Sequence, residues 1–322
     1  MNQALSQVYS WAHSFSRRAA ILATLIFAIL NLFNISTALS AQLVVALIAL
    51  AAGIPHGAID HLITLPKEPR AKFIAFIVIY VLVAIVAGLA IANWNRIGFQ
   101  IVVLMSSLHF GFGDAAYFNE WRDVETKTRD SFLIGLIYAL PAGFLPVVLP
   151  LTDHRALRAL ERINPSIADW AGTLTLTFRT TTLIFAAIAF LALLIARRLQ
   201  KALDLVLLGC LSLIAPPLIT FAIYFGCWHA VRHTARLVPK LPKAMLQVNK
   251  KAPNTAIREA IVPGLYAVVG TLALATGLLL FARSHFSYGL LWSTLVIVWS
   301  LTVPHMATTA RFDLSSFRKF RD

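Results

Sequence analysis

The chain has 322 residues, of which 59% are hydrophobic and only 13% charged, and its mean hydropathy is +0.76. A soluble domain is about half apolar and about a quarter charged, so this composition excludes a soluble globular protein and a disordered one, and predicts an all-α bundle embedded in a membrane. The formal net charge of +14 raises nucleic acid as a partner, but the placement of the charges answers that question differently.

Dividing the chain at charges and at Pro/Gly clusters gives ten apolar spans, approximately 19–37, 41–65, 73–93, 97–118, 131–151, 180–196, 202–215, 216–234, 260–282 and 286–307. About twenty apolar residues cross a bilayer as a helix. The weakest division falls between 202–215 and 216–234, where Pro216-Pro217 makes either a turn or a kink, so eight to ten spans are expected. With both termini in the cytoplasm, 22 of the 28 Lys and Arg residues fall on inner segments, and Arg96, Arg155, Arg158, Arg162, Arg179 and Arg283 remain outside. That bias is the positive-inside pattern. The basic excess therefore reports topology and affinity for anionic lipid, and no nucleic-acid partner is expected.

The first span follows Arg17-Arg18 and ends in "TALSA", Thr37 to Ala41. This imitates a signal peptide with a small-residue cleavage site. A retained helix is the expectation, because the charged leader is long and nothing downstream looks secreted. The whole chain, 1–322, reads as one integral-membrane domain. Its outer connection, 152–179, carries "DHRALRALERI" with arginines at helical spacing and is predicted to be an amphipathic surface helix. Its inner connection, 235–259, holds three prolines among basic residues and reads as an irregular basic loop. Cys210 and Cys227 both lie in apolar runs, so no disulfide framework is expected.

Ionisable residues inside lipid are costly and mark function. They gather in four even-numbered spans: "GIPHGAIDH" with His56, Asp60 and His61; "SSLHFGFGDA" with His109 and Asp114; "CWHAVRH" with His229, Arg232 and His233; and "TVPHMATTARFD" with His305. Counted from the outer start of each span, the histidines fall about 18–28 Å into a ~30 Å apolar layer, at ~1.5 Å per residue. Independent helices have no reason to agree on depth, so one shared site is predicted.

His229 and His233 stand one helical turn apart and share a face. Both can reach one ion, and His56 and His109 complete a four-histidine set. Imidazole suits iron, copper, zinc or nickel, whereas a shell without Cys or Met disfavours copper(I) and structural zinc. Asp60 and Asp114 either orient the imidazoles by accepting an N–H or pair with Arg232 or Arg311. Phe110, Phe112, Tyr224, Phe225 and Trp228 are ordinary packing surface, or they line a pocket for a flat conjugated substrate. His61 is the alternative to His56 as a ligand. His13, His154 and His285 read as interfacial residues.

These motifs, "PHGAIDH" (55–61), "HFGFGDA" (109–115), "WHAVRH" (228–233) and "VPHM" (303–306), in this order in a polytopic chain, resemble the Brp/Blh family of β-carotene 15,15′-dioxygenases over roughly residues 40–310. The resemblance implies an enzyme that uses Fe(II) to split all-trans-β-carotene with O2 into two retinal molecules, which supply microbial rhodopsins. It implies His56, His109, His229 and His233 as iron ligands and leaves the role of His305 open. Ala230 stands where the family carries Ser. Membership also implies a bacterial inner membrane and substrate entry from lipid. Two rivals stand beside this reading. A di-iron desaturase or hydroxylase would use the H-x3-H box, but needs about eight histidines where this chain has nine in all and no His-His pair. A carotenoid transporter or rhodopsin-assembly factor would use the histidines as a path for ions or protons.

Overall fold

The structure, a computed structural model, describes residues 2–59, 69–281 and 289–317. It is all-α, with no strand among the described residues. The helices are α1 (Asn2–Leu32), α2 (Leu39–Gly57), α3 (Arg70–Asn93), α4 (Asn95–Thr126), α5 (Phe132–Leu151), α6 (His154–Ile163), α7 (Thr175–Ile195), α8 (Leu199–Ile214), α9 (Pro217–Ala222), a π-helical turn (Ile223–His229), α10 (Ala230–Leu237), α11 (Pro242–Asn249), α12 (Pro253–Ile261), α13 (Leu265–Phe281) and α14 (Leu290–Ser315). Among the described residues, eight helical stretches are long and apolar enough to cross a membrane. Among the described residues, each of the ten predicted spans is largely helical; the two too short or too broken to cross a membrane are the pair flanking Pro216. There α8 has only 16 residues, and the following segment is broken into α9, the π turn and α10. Pro216 makes a turn: its backbone is extended, as the residue before a proline must be.

The centre of the bundle is α4, buried along most of its length, and its closest neighbour is α5. The two helices touch through backbone. A Cβ on Gly111 would overlap the Ala139 carbonyl, and one on Gly143 would overlap the Ser107 carbonyl. Without a hydrophobic drive between helices in lipid, such close small-residue contacts supply the packing. The turn between these helices is pinned by Asp130, which bonds Lys201 Nζ at 2.8 Å and Arg198 Nε at 2.7 Å, while its backbone N–H donates to Asn119 Oδ1. Burial alone would raise the Asp130 carboxyl, but Lys201 and Arg198 outweigh it and hold it below the usual carboxylate range.

Three expectations are corrected. The inner connection 235–259 is not irregular: Pro242 and Pro253 begin α11 and α12, because proline lacks only an N–H that the first helical turn leaves unused. The first helix begins well before residue 19. Residues from Val8 to Ser16 contribute buried Val8, Tyr9, Ala12, His13 and Ser16, so the N-terminal stretch packs into the bundle. His13 is consequently not interfacial. It is buried with Nδ1 3.2 Å from Arg232 Nη2. The outer amphipathic helix is present as α6, capped by Asp153, whose carboxylate accepts the Arg155 N–H at 2.8 Å.

Candidate metal centre and substrate cavity

Five helical segments bring histidines to one place. His56 ends α2 after Pro55, His109 lies mid-way along α4, His229 closes the π turn, His233 follows on α10, and His305 follows Pro304 on α14. All five are buried. Ring centroids of His56 lie 5.2, 5.1 and 5.6 Å from those of His229, His233 and His305. His109 lies 5.2 Å from His229, 6.4 Å from His233 and 5.0 Å from His305. The predicted meeting of His56, His109, His229 and His233 is therefore what the fold builds, and His305 is a fifth member at the same spacing. Asp60, His61 and His285 lie outside the described residues.

The cluster can be tested against an ion. An imidazole nitrogen binds a metal at ~2.1 Å, which puts ring centroids roughly 3 Å from the ion and about 5 Å from each other, close to the separations found. The Nε2 atoms of His109, His229 and His233 are buried with no hydrogen-bond partner, an expensive state for polar atoms unless something else binds them. Two rings have their protons assigned by neighbours. His56 Nδ1 makes a short bond to the Gly53 carbonyl, which as an acceptor requires a proton on Nδ1. Thr309 Oγ1 donates to the His305 carbonyl at 2.9 Å, so toward His109 Nδ1, 3.4 Å away, it offers a lone pair. Both arrangements leave an Nε2 lone pair for coordination. Among the described residues no three His, Cys, Asp or Glu side chains form a finished metal cage; the rings make a chamber of the right size and chemistry rather than a closed polyhedron.

Asp114 does not orient these rings. Asp114 Oδ2 accepts the Trp228 indole N–H at 2.7 Å and lies 3.9 Å from Arg232, so the pairing alternative for this residue is the one realised. Arg232 in turn bonds Asp204 at 2.8 Å and Ser16 at 3.0 Å, and stacks on Trp228 at 3.8 Å. Trp228 is thus a buried strut held from two sides and does not line the cavity. Phe112 does not line it either, stacking instead on Phe132. Phe110, Tyr224 and Phe225 do line it, and the Phe110 ring lies 4.3 Å from that of His229.

Arg236, assigned from sequence to the inner connection, belongs to the site's foundation. It is buried, bonds Asp313 at 2.6 Å and Glu120 at 2.9 Å, and flanks Gly113 together with the His229 ring. Its signal was legible: His229, Arg232, His233 and Arg236 continue one helical stripe. Glu120 and Asp313 offered no such pattern. The π turn was not signalled at all. Such turns are frequent at functional sites, and here one ends on His229.

The chamber opens into a cavity of about 400 Å³ with an almost wholly apolar wall, into which His56, His109 and His305 project. Its volume lies in the range of small-molecule sites. Gly53 lets Phe225 reach this wall, since a Cβ there would overlap the ring.

Comparison with known proteins follows the same residues. The family model described as beta-carotene 15,15'-dioxygenase matches residues 46–313, a range that contains all five clustered histidines. The chain is 27% identical over 214 residues to the probable beta-carotene 15,15'-dioxygenase Blh of Halobacterium salinarum, covering 59% of this chain and 60% of that protein. It is 30% identical over 188 residues to the beta-carotene 15,15'-dioxygenase of an uncultured marine bacterium, 66A03, covering 56% of this chain and 64% of that one. The chain thus spans less than two thirds of the length of either relative. No solved structure matches. A family match over most of the chain, centred on the histidine chamber, means that this membrane protein belongs to the beta-carotene 15,15'-dioxygenase family.

Proposed function

We propose that the protein is an iron(II)-dependent dioxygenase that cleaves the central 15,15′ double bond of all-trans-β-carotene with O2 to give two retinal molecules. The observation that carries this is the juxtaposition of a buried, all-imidazole chamber with an elongated apolar cavity. A polyene has no polar handle, so recognition falls to shape and apolar contact. The reaction balances as one C=C bond and one O2 consumed and two C=O bonds formed, with no proton or external reductant required.

His56, His109, His229 and His233 would hold the metal, with His305 the fifth imidazole. Iron(II), when bound, supplies the electron-rich centre at which O2 is activated. The remaining work belongs to the chain. The Gly53 carbonyl and Thr309 hydroxyl keep protons on Nδ1 of His56 and His109, so that Nε2 stays a donor. Phe110, Tyr224 and Phe225 line the cavity beside the chamber, where ring faces turned to a polyene would favour any positive charge that develops on it. The apolar walls exclude water from the site. Retinal released into lipid would be available to a microbial rhodopsin, and a bacterial inner membrane is the setting proposed.

The single histidine cluster among the described residues does not favour a di-iron oxygenase, since His13 lies beside Arg232 and His154 beside Asp153. The test is expression in carotene-accumulating bacteria, followed by purification. Colour loss with retinal in the extract, one iron per chain, and no retinal from the metal-stripped protein are expected. Retinal formation by iron-free protein would refute the mechanism. Intact pigment despite confirmed expression would refute the activity.

A further inference from the structure

The cavity has two unlike ends, and the imidazoles stand nearer the first. One end lies among half-buried Phe76, Ile77 and Tyr80 on α3 and Ala267 on α13. Both helices pack on α14, and their outer surfaces are largely exposed where lipid would lie. From there the wall follows one stripe of α14, from His305 back to Leu291, fourteen residues or ~21 Å of helix. The far end is blind. It is closed by α6, whose Ala156, Ala159, Leu160 and Ile163 all line the cavity and are all buried.

This closure is braced. At the start of α6, Arg155 pairs with Asp153 at 2.9 Å and reaches the Ile214 and Ala215 carbonyls at 3.5 Å. At its end, Asn164 Nδ2 donates to Asn95 Oδ1 at 2.5 Å. Beyond it Trp170 donates to the Leu151 carbonyl at 3.2 Å, and Gln100 donates to the Trp170 carbonyl at 2.6 Å. A surface helix resting on a bilayer needs none of these bonds. Two of the four inward residues are alanines, the smallest side chains that still hold a helix, on the face where the substrate's end would abut.

We infer that α6 is the stop that measures the substrate: one arm of a linear isoprenoid fills the blind end, and the depth from Ala159 to the imidazoles selects which double bond lies over the site. This inference rests on the cleavage activity proposed above and adds what sets the position of cleavage. A symmetric polyene offers many similar double bonds, so a rigid end wall is a sufficient physical means of choosing one.

The test uses the full-length protein in membranes, with β-carotene and an apocarotenal shortened on one arm as paired substrates. Ala159→Phe should lower β-carotene cleavage roughly tenfold or more, the scale on which a pocket discriminates by size, while the short-armed substrate, which still fits, retains its rate. Leu160→Ala deepens the end and should yield aldehydes of unequal length from β-carotene. Leu157→Phe, on the exposed face of the same helix, should change neither. Equal loss on both substrates in Ala159→Phe, or retinal as the only aldehyde from Leu160→Ala, would overturn the ruler while leaving the activity standing. Leu160→Ala removes atoms, and so decides the matter if the phenylalanine variant does not assemble. Wild-type protein inert toward both substrates would overturn the cleavage reading itself, and the ruler with it.

Discussion

The hydroxyl of Thr309 on α14 stands 3.4 Å from Nδ1 of His109 on α4, while its own proton is directed at the His305 carbonyl 2.9 Å away. One small side chain therefore joins two of the five imidazole-bearing helices and fixes the tautomer of one ring. Outer partners of metal-bound histidines are worth about 10–100-fold in metal affinity or activity. Thr309→Val is expected to weaken iron binding by roughly tenfold, and Thr309→Ser to restore most of it. The measurement is iron retained after dialysis against a graded chelator series. Equal retention in all three proteins would contradict the assignment.

His233 on α10 and His56 on α2 meet in the cluster with ring centroids 5.1 Å apart. Substituting either by Ala should remove iron and lower retinal formation by more than ~100-fold, beyond the range expected for loss of an outer partner. His305→Ala separates a fifth ligand from a packing role: iron content should fall with the first and persist with the second. Metal analysis of purified variants distinguishes the two.

Backbone contact between α4 and α5 makes a sharp steric prediction. A methyl at Gly111 meets the Ala139 carbonyl oxygen, which no rotamer change can move. Gly111→Ala should therefore destabilise the bundle by about 1–3 kcal/mol or more. Gly277→Ala on α13, where nothing lies within 4 Å, is the matched control and should be neutral. Thermal unfolding in detergent followed by circular dichroism reads both.

Asp130 gives the pH dependence. Its carboxyl is held below the ordinary value by Lys201 and Arg198, against the opposing effect of burial, so ionisation favours the folded state. That stabilisation is complete above the unfolded pKa of about 4 and is lost as pH falls through the lower folded value. Asp130→Asn should abolish this acid-dependent component. It should also cost about 3–5 kcal/mol at neutral pH, because Lys201 stays buried without its counter-charge. An unchanged acid profile in the variant would sink this account.

Much of the site was readable because imidazoles inside an apolar span are conspicuous. His56, His109, His229 and His233 announced themselves by depth, and His305 did so as well, although its role was left open. What stayed hidden depended on tertiary partners. Asp114 looked equally able to orient a ring or bind an arginine, and only the approach of Trp228 and Arg232 settles that. Phe112 and Trp228 sit close to the clustered histidines in sequence but pack elsewhere, as the packing of α4 and of the π turn dictates. Pro242 and Pro253 were read as loop makers, although proline opens helices as readily as it ends them. A span that starts at residue 19, where the polar residues of the leader stop, leaves His13 outside the bundle, whereas the helix that carries it runs from Asn2.

The ion pair between Arg17 and Asp204, at 2.6 Å, joins residues 187 positions apart. During synthesis the arginine is made long before its carboxylate, and a buried ion pair stabilises nothing until both partners are in place. The first helix is therefore expected to linger at the headgroup level, or under the care of the insertion machinery, until the eighth arrives. Biogenesis of this protein would then finish with α1, which closes the rear of the bundle last.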